Sequence, residues 1–283
     1  MSYTTLIGAA ELRRQLATPG WVLLDCRFDL ADPAAGRQAF ARGHIPGATH
    51  ADLNRDLSAP VSGNSGRHPL PHPDTFAKTA ADWGIDPRTQ VIVYDDNNGS
   101  FAARAWWMLR WIGVPQVAVL DGGWAAWRAA GGEVDQAQAP VRSPSTLRPQ
   151  LRPEAVLSAA QVAAALAEPG RLLVDARAAA RFAGEVEPID PVAGHVPGAR
   201  NHPFTLNLQP DGTLLPAEQL RRRWLEFLGA TRPEGLISMC GSGVTACHNL
   251  LALEVAGLPG ARLYAGSWSE WIRDPARPVA RGA

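Results

Sequence analysis

The chain has 283 residues, 46% of them hydrophobic and 19% charged, and 27 Lys and Arg balance 27 Asp and Glu for a formal net charge of zero. That composition suits one long domain or two ordinary ones and offers no basic excess for nucleic acid or an anionic membrane surface. No apolar run approaches the ~20 residues of a membrane span. The N-terminal stretch MSYTTLIGAAELRRQL lacks the basic start and apolar core of a signal peptide. Three cysteines (Cys26, Cys240 and Cys247) are too few and too scattered for a disulfide framework. The expectation is a cytoplasmic protein with neither a nucleic-acid nor a membrane partner.

In chain order, AELRRQLA reads as a helix, WVLLDC and VIVYD as strands, AARAWWMLRWIG as a helix and VAVL as a strand. The segment 135–153, DQAQAPVRSPSTLRPQLRP, is rich in Pro, Gln, Ser and Arg and reads as a linker. Beyond it QVAAALA is helical, RLLVDA and LISMC are strands, and TACHNLLALEVAG is helical. Alternating β and α elements predict an α/β fold, a mainly parallel sheet flanked by helices on both faces. Ligands of such sheets sit at the carboxyl ends of the strands.

The chain also repeats itself. VLLDCR (22–27) returns as LLVDAR (172–177), GHIPGA (43–48) as GHVPGA (194–199), and VIVYD (91–95) aligns with LISMC (236–240). LDGGWAAW (120–127) aligns with YAGSWSEW (264–271), keeping one glycine and both tryptophans. Four motifs in the same order, at slowly drifting offsets, indicate a duplicated domain. The expected division is an N-terminal domain over 1–134, the linker 135–153, and a C-terminal domain over 154–283.

The stretch SMCGSGVTACHNL (238–250) carries the chemistry. The run 235–239 ends a strand, Gly241–Gly243 make a tight loop, and 244–253 begin a helix, so Cys240 sits at a strand's carboxyl end facing a helix N-terminus. Free N–H groups and the helix dipole favour an anion there, which is the setting of a thiolate nucleophile. The alternative is a buried structural cysteine. Two glycines let the amides of 241–246 (Gly241, Ser242, Gly243, Val244, Thr245 and Ala246) curl around one sulfur. Aligning the repeats puts Asp95 where Cys240 stands; an aspartate has no thiol to act as that nucleophile, so the first domain should be catalytically silent. Cys26 reads as core and Cys247 as inward-facing, two turns below Cys240. The pattern Cys240, Cys247, His248 lacks the spacing and fourth ligand of a zinc site, so no metal is expected. His44 and His195 recur beside the same PGA and read as structural. The tryptophans read as packing, with Trp268 the one expected to border a cleft.

Two tandem α/β domains, each with D-x-R and GH[IV]PGA, and a cysteine loop CGSGVTAC in the second alone, resemble the two-domain rhodaneses. The loop is most similar to the 3-mercaptopyruvate sulfurtransferase branch. The resemblance covers nearly the whole chain and implies two rhodanese-like domains and a sulfurtransferase without a cofactor. Sulfur would pass from 3-mercaptopyruvate or thiosulfate through a Cys240 persulfide to cyanide, a thiol or thioredoxin. It further implies that Arg181 in DARAAARF holds the donor's oxygens, a task that suits a planar guanidinium. Against this stands a salt bridge of Arg181 to Glu185 or Glu187. A proton relay would run through Ser242 and His68 of GRHPLP; the acidic residue of that relay falls at Asn54, with Asp52 or Asp56 as substitutes. The branch's second arginine falls at Asp190. Neutral Gly241 and Ser242, where thiosulfate-preferring members carry basic residues, favour the mercaptopyruvate reading.

Other readings remain. A phosphatase of the same fold wants C-x₅-R, but residue 246 is alanine. A thiosulfate-preferring rhodanese fits the same loop with a different donor. A sulfur carrier or binding module without turnover would accept one sulfur and pass it only to a partner protein.

Overall fold

A computed structural model describes residues 2–282. They form two compact units: unit 1 comprises residues 2–59, Leu70–Arg152 and Gln209–Leu214, and unit 2 comprises Pro60–Pro69, Pro153–Leu208 and residues 215–282. The grouping departs from chain order at two short segments, 60–69 and 209–214, each of which packs with the unit of the other half. The proline-rich segment read as a linker belongs largely to unit 1. Its backbone bonds there, Ser145 N–H to Ala81 O and Gln150 N–H to Ile112 O, both at 2.9 Å, and Leu147 is buried.

Unit 1 runs β1 (Leu6–Ile7), α1 (Ala9–Gln15), β2 (Trp21–Asp25), α2 (Ala35–Arg42), β3 (Ala48–His50), α3 (Pro73–Asp82), β4 (Gln90–Tyr94), α4 (Ala102–Trp111), β5 (Val117–Leu120) and α5 (Gly123–Ala129). Its five strands are parallel, in the order β1-β5-β4-β2-β3. Unit 2 contains α6 (Ala159–Ala165), β6 (Leu172–Asp175), α7 (Ala179–Ala183), β7 (Arg200–Asn201), α8 (Ala217–Leu228), β8 (Leu236–Met239), α9 (Thr245–Val255), β9 (Arg262–Leu263) and α10 (Ser267–Trp271). Its four strands are parallel in the order β7-β6-β8-β9. Every residue of β4, β6 and β8 is buried. This is why those segments read as unbroken apolar runs rather than alternating ones. Each fully buried Leu, Ile or Val there stabilises the fold by about 1.5–3 kcal/mol.

The repeated motifs prove to be one device built twice. Arg27 and Arg177 each fork onto the aspartate two residues earlier, Asp25 and Asp175, with Nε–O distances of 3.0 to 3.1 Å. Each also donates from Nη2 to the glycine carbonyl that opens the GH[IV]PGA motif, Gly43 or Gly194, at 2.7 Å. Each guanidinium lies over the first tryptophan of the fourth motif, Trp124 at 4.7 Å and Trp268 at 4.9 Å. His44 and His195 stack on Phe40 and Phe182 with ring centroids 3.8 Å apart. Their Nδ1 atoms bond the carbonyls of those same residues at 2.9 and 2.8 Å. The recurring polar residues thus lock loops at the strand ends, where the site must be held.

Candidate active site at Cys240

Cys240 follows β8 directly and is 2% exposed. Its backbone is clamped from α10: Cys240 N–H donates to Ser267 Oγ at 3.0 Å, and the carbonyl accepts from Trp268 N–H at 3.0 Å. Ser269 N–H adds a bond to the Gly241 carbonyl at 2.9 Å. Ser267 Oγ passes its own proton to Tyr264 O at 2.9 Å, and the residue takes a left-handed φ of 54° to do so. Within the loop, Gly243 N–H points at Cys240 Sγ, 3.1 Å away. Gly243 has φ 79°, and a methyl group on it would overlap the Ala265 carbonyl, so only glycine fits. Of the amides expected to cradle the sulfur, Gly243 is the one seen donating to it. Val244 is buried just ahead of α9, and Thr245, half-buried, opens that helix. The helix starts one residue later than the sequence suggested, because Val244 serves as its cap.

Cys247 is buried, with Sγ 3.3 Å from the Gly243 carbonyl. Trp268 is fully buried and donates from Nε1 to Val192 O at 2.8 Å, so it supports the loop from beneath instead of bordering a cleft. Among the described residues no group of three metal-ligating side chains occurs.

The segment 60–69 brings two residues of the first half into unit 2. His68 Nδ1 lies 2.7 Å from Ser242 Oγ, both buried. Arg67 is anchored through its N–H to Ser269 Oγ at 3.1 Å and pairs with Asp190. The approach is possible because residue 66 is glycine: a methyl group there would lie 2.5 Å from the Gly266 carbonyl. Arg181 meets Glu187 at 2.6 Å and Asp190 at 3.2 Å, so the expected salt bridge falls on Glu187 and is shared with Asp190. Arg181 also stands beside the cysteine loop, for a methyl on Gly241 would sit 3.6 Å from its Nη1. Burial opposes ionisation of Glu187, yet the Arg181 bonds outweigh it and hold the carboxyl below its ordinary range. For Asp190 burial prevails over the two arginines and pushes the carboxyl up. Asn54 lies in unit 1, exposed, with its N–H on Asp52 Oδ1 at 2.9 Å.

In unit 1 the residue matching Cys240 is Asp95, fully buried after β4. Its carboxylate accepts four backbone N–H bonds: Asn97 and Gly99 on Oδ1 at 2.9 Å, Phe101 and Ala102 on Oδ2 at 2.8 Å. The loop's amides are satisfied by the chain's own anion. Sequence reasoning missed Arg67 and Ser267. Arg67 stood next to His68 in GRHPLP, and Ser267 stood inside a repeated tryptophan motif, so both signals lay one residue from those used.

The rhodanese-like domain model matches residues 8–130 and 158–274. The chain belongs to the rhodanese family. It is 52% identical over 284 residues to a probable 3-mercaptopyruvate sulfurtransferase of Pseudomonas aeruginosa, covering 100% of both chains. It is 41% identical to a putative thiosulfate sulfurtransferase of Mycobacterium tuberculosis, covering 98% of this chain and 97% of that one. Among solved structures, 3-mercaptopyruvate sulfurtransferase from Leishmania major matches with a TM-score of 0.83 and 31% identity, covering 95% of this chain and 74% of that one. Within this rhodanese, a free buried cysteine at the head of α9 stands in unit 2 alone. Among the described residues no helix is long and apolar enough to cross a membrane.

Proposed function

We propose that the protein is a 3-mercaptopyruvate sulfurtransferase with Cys240 as its nucleophile. The observation that carries the reading is the Cys240 thiol, held at the end of β8 with Gly243 N–H on its sulfur at 3.1 Å. The Cys240 thiolate attacks the donor sulfur and a sulfur–sulfur bond forms. The carbon–sulfur bond breaks, its electron pair leaves on the carbon as the enolate, and protonation gives pyruvate. Cyanide or a thiol, thioredoxin included, then takes the outer sulfur and restores the thiolate. Ser242 and His68, 2.7 Å apart, are the proposed path for the proton, and Arg181 with the amides of Gly241, Gly243, Val244 and Thr245 is the proposed seat of the donor. Asn54→Asp is the variant that tests an orienting role for residue 54. No cofactor enters this scheme.

In the same reading residues 1–134 form the silent domain, 135–153 the connection and 154–283 the catalytic domain, in the cytoplasm. The plug of four N–H bonds on Asp95 supports the silence of the first half. Thiosulfate as donor is the second reading, favoured by the two guanidinium groups, Arg67 and Arg181, beside Gly241. The deciding experiment compares steady-state turnover of 3-mercaptopyruvate and thiosulfate with cyanide as acceptor. A preference of about tenfold or more in kcat/KM for 3-mercaptopyruvate, roughly 1.4 kcal/mol, supports the reading. The opposite preference gives the site to thiosulfate, and no turnover with either gives it to a sulfur carrier. Activity surviving in Cys240→Ser overturns the mechanism.

A further inference from the structure

The arginine device built twice differs between the units at one nitrogen. In unit 2, Arg177 Nη1 donates to Glu187 Oε2 at 3.3 Å, so all three nitrogens of that guanidinium are engaged. In unit 1, Asp25 and the Gly43 carbonyl hold Nε and Nη2 of Arg27, and among the described residues Nη1 has no acceptor. Glu187 stands seven residues before Gly194, and the residue seven before Gly43 is Gly36, which has no carboxylate to offer. A Cβ on Gly36 would lie 1.9 Å from the Arg27 carbonyl, so no side chain can take that place. Arg27 is 4% exposed, so Nη1 is a charged donor on a buried side chain. Arg27 lines a cavity of about 260 Å³, with Asp29 after β2, Gly36 and Arg42 of α2, and Asp96 and Asn97 after β4. In the strand order β1-β5-β4-β2-β3 the chain leaves β2 towards β3 and β4 towards β5, in opposite directions. The cavity therefore lies at the carboxyl ends of the strands where the sheet switches direction, the position at which α/β sheets take their ligands.

We propose that this cavity in unit 1 binds a small α-amino acid, its carboxylate on Arg27 Nη1 and Arg42 and its ammonium on Asp96 and Asp29. Charge selects the class. Arg27 and Asp25 form a buried pair that is neutral together, which leaves Arg42 against Asp29 and Asp96. That surplus of carboxylate repels a bare anion, and the uncovered Arg27 Nη1 repels a bare cation. A zwitterion satisfies both. Asp29 Oδ1 accepts the Ala31 N–H at 2.7 Å, so Oδ2 is its oxygen for the ligand. The neighbouring amides of 97–102 are already taken by Asp95 and do not compete for the carboxylate. Cavities for drug-sized ligands run to about 300–1,000 Å³, so a smaller one suits a molecule of few heavy atoms. The site uses no residue of the cysteine loop and stands apart from the sulfurtransferase reading.

The experiment titrates the full, isotope-labelled chain with glycine, L-alanine and L-serine and follows backbone amides by proton–nitrogen NMR. The amides of Phe28, Gly36 and Asn97 report on the cavity, and those of Gly241 and Gly243 on the cysteine loop. At least one of the three amino acids should give saturable shifts at the cavity amides with a Kd of about 5 mM or tighter. Acetate and methylammonium, each carrying one of the two charges, should bind about tenfold more weakly than that amino acid. Arg42 and Asp96 are exposed, so Arg42→Gln and Asp96→Asn should keep the wild-type thermal midpoint. Each should nevertheless weaken binding about tenfold, through loss of one charge-assisted hydrogen bond. Arg42→Lys, which keeps the charge without the fork, should recover part of that loss. Binding weaker than about 5 mM for all three amino acids overturns the site. Acetate binding as tightly as the amino acids overturns the zwitterion and leaves a plain anion site. A weakening of less than about fivefold in either Arg42→Gln or Asp96→Asn overturns the assigned contacts. Shifts confined to Gly241 and Gly243 would put the ligand in the cysteine loop and overturn the proposal as well.

Discussion

Replacing Ser267 by alanine tests how the nucleophile is held. Ser267 Oγ accepts the Cys240 N–H at 3.0 Å and donates to the Tyr264 carbonyl at 2.9 Å. Ser267 and Tyr264 are both 0% exposed and Cys240 is 2% exposed, so water cannot replace either bond. An orphaned buried donor or acceptor costs about 1–3 kcal/mol, and two of them together about 2–5 kcal/mol. The left-handed φ of 54° does not enter the difference, because alanine meets the same Cβ crowding as serine there. At about 2–4 °C per kcal/mol for a domain of this size, the midpoint of unit 2 should fall by roughly 4–20 °C. Differential scanning calorimetry and urea unfolding measure this directly, and sulfur transfer should weaken because the Cys240 backbone loses a clamp. A loss of stability below about 1 kcal/mol would show that the two bonds contribute little, and the clamp argument would fail.

The remaining predictions test the loop, its counterpart and two histidines. Gly243→Ala forces a methyl group into the Ala265 carbonyl at φ 79°; it should cost about 2 kcal/mol or more and abolish transfer, and normal unfolding with normal activity would refute it. Asp95→Asn puts an amide NH₂ against N–H donors at 2.8 Å, so unit 1 should lose about 2–4 kcal/mol in urea unfolding, with no gain of sulfur transfer. Ser242→Ala removes the partner 2.7 Å from His68 Nδ1; kcat with 3-mercaptopyruvate should fall about 10²-fold while thiosulfate turnover holds, and an equal fall for both would retire the relay. Burial against Trp224 and Phe227 lowers His202 from 6.5 to about 4. The unfolded chain then takes up a proton that the folded one refuses. Stability is therefore complete above about pH 6.5 and falls by about 3 kcal/mol on the way to pH 4. Unfolding of His202→Gln between those limits should show a flatter slope, and an unchanged slope would assign the acid loss elsewhere.

The sequence by itself determined the duplication, the α/β alternation and the place of Cys240. Each of these is a local property: buried parallel strands must read as apolar runs, and a loop around sulfur must contain glycine where φ is positive. It also led to the expectation that the first half is silent, because Asp95 stands where a thiol is needed. Tertiary structure alone decided the surroundings of the sulfur. Segment 60–69 crosses into unit 2 and delivers Arg67 and His68 to a loop near residue 241, and nothing in the local pattern of GRHPLP encodes that destination. Asp190 looked like a missing arginine when read by position. In the fold its carboxylate joins Arg67 and Arg181, because a buried charge is tolerated only where opposite charges surround it, and which ones do so depends on packing between distant segments.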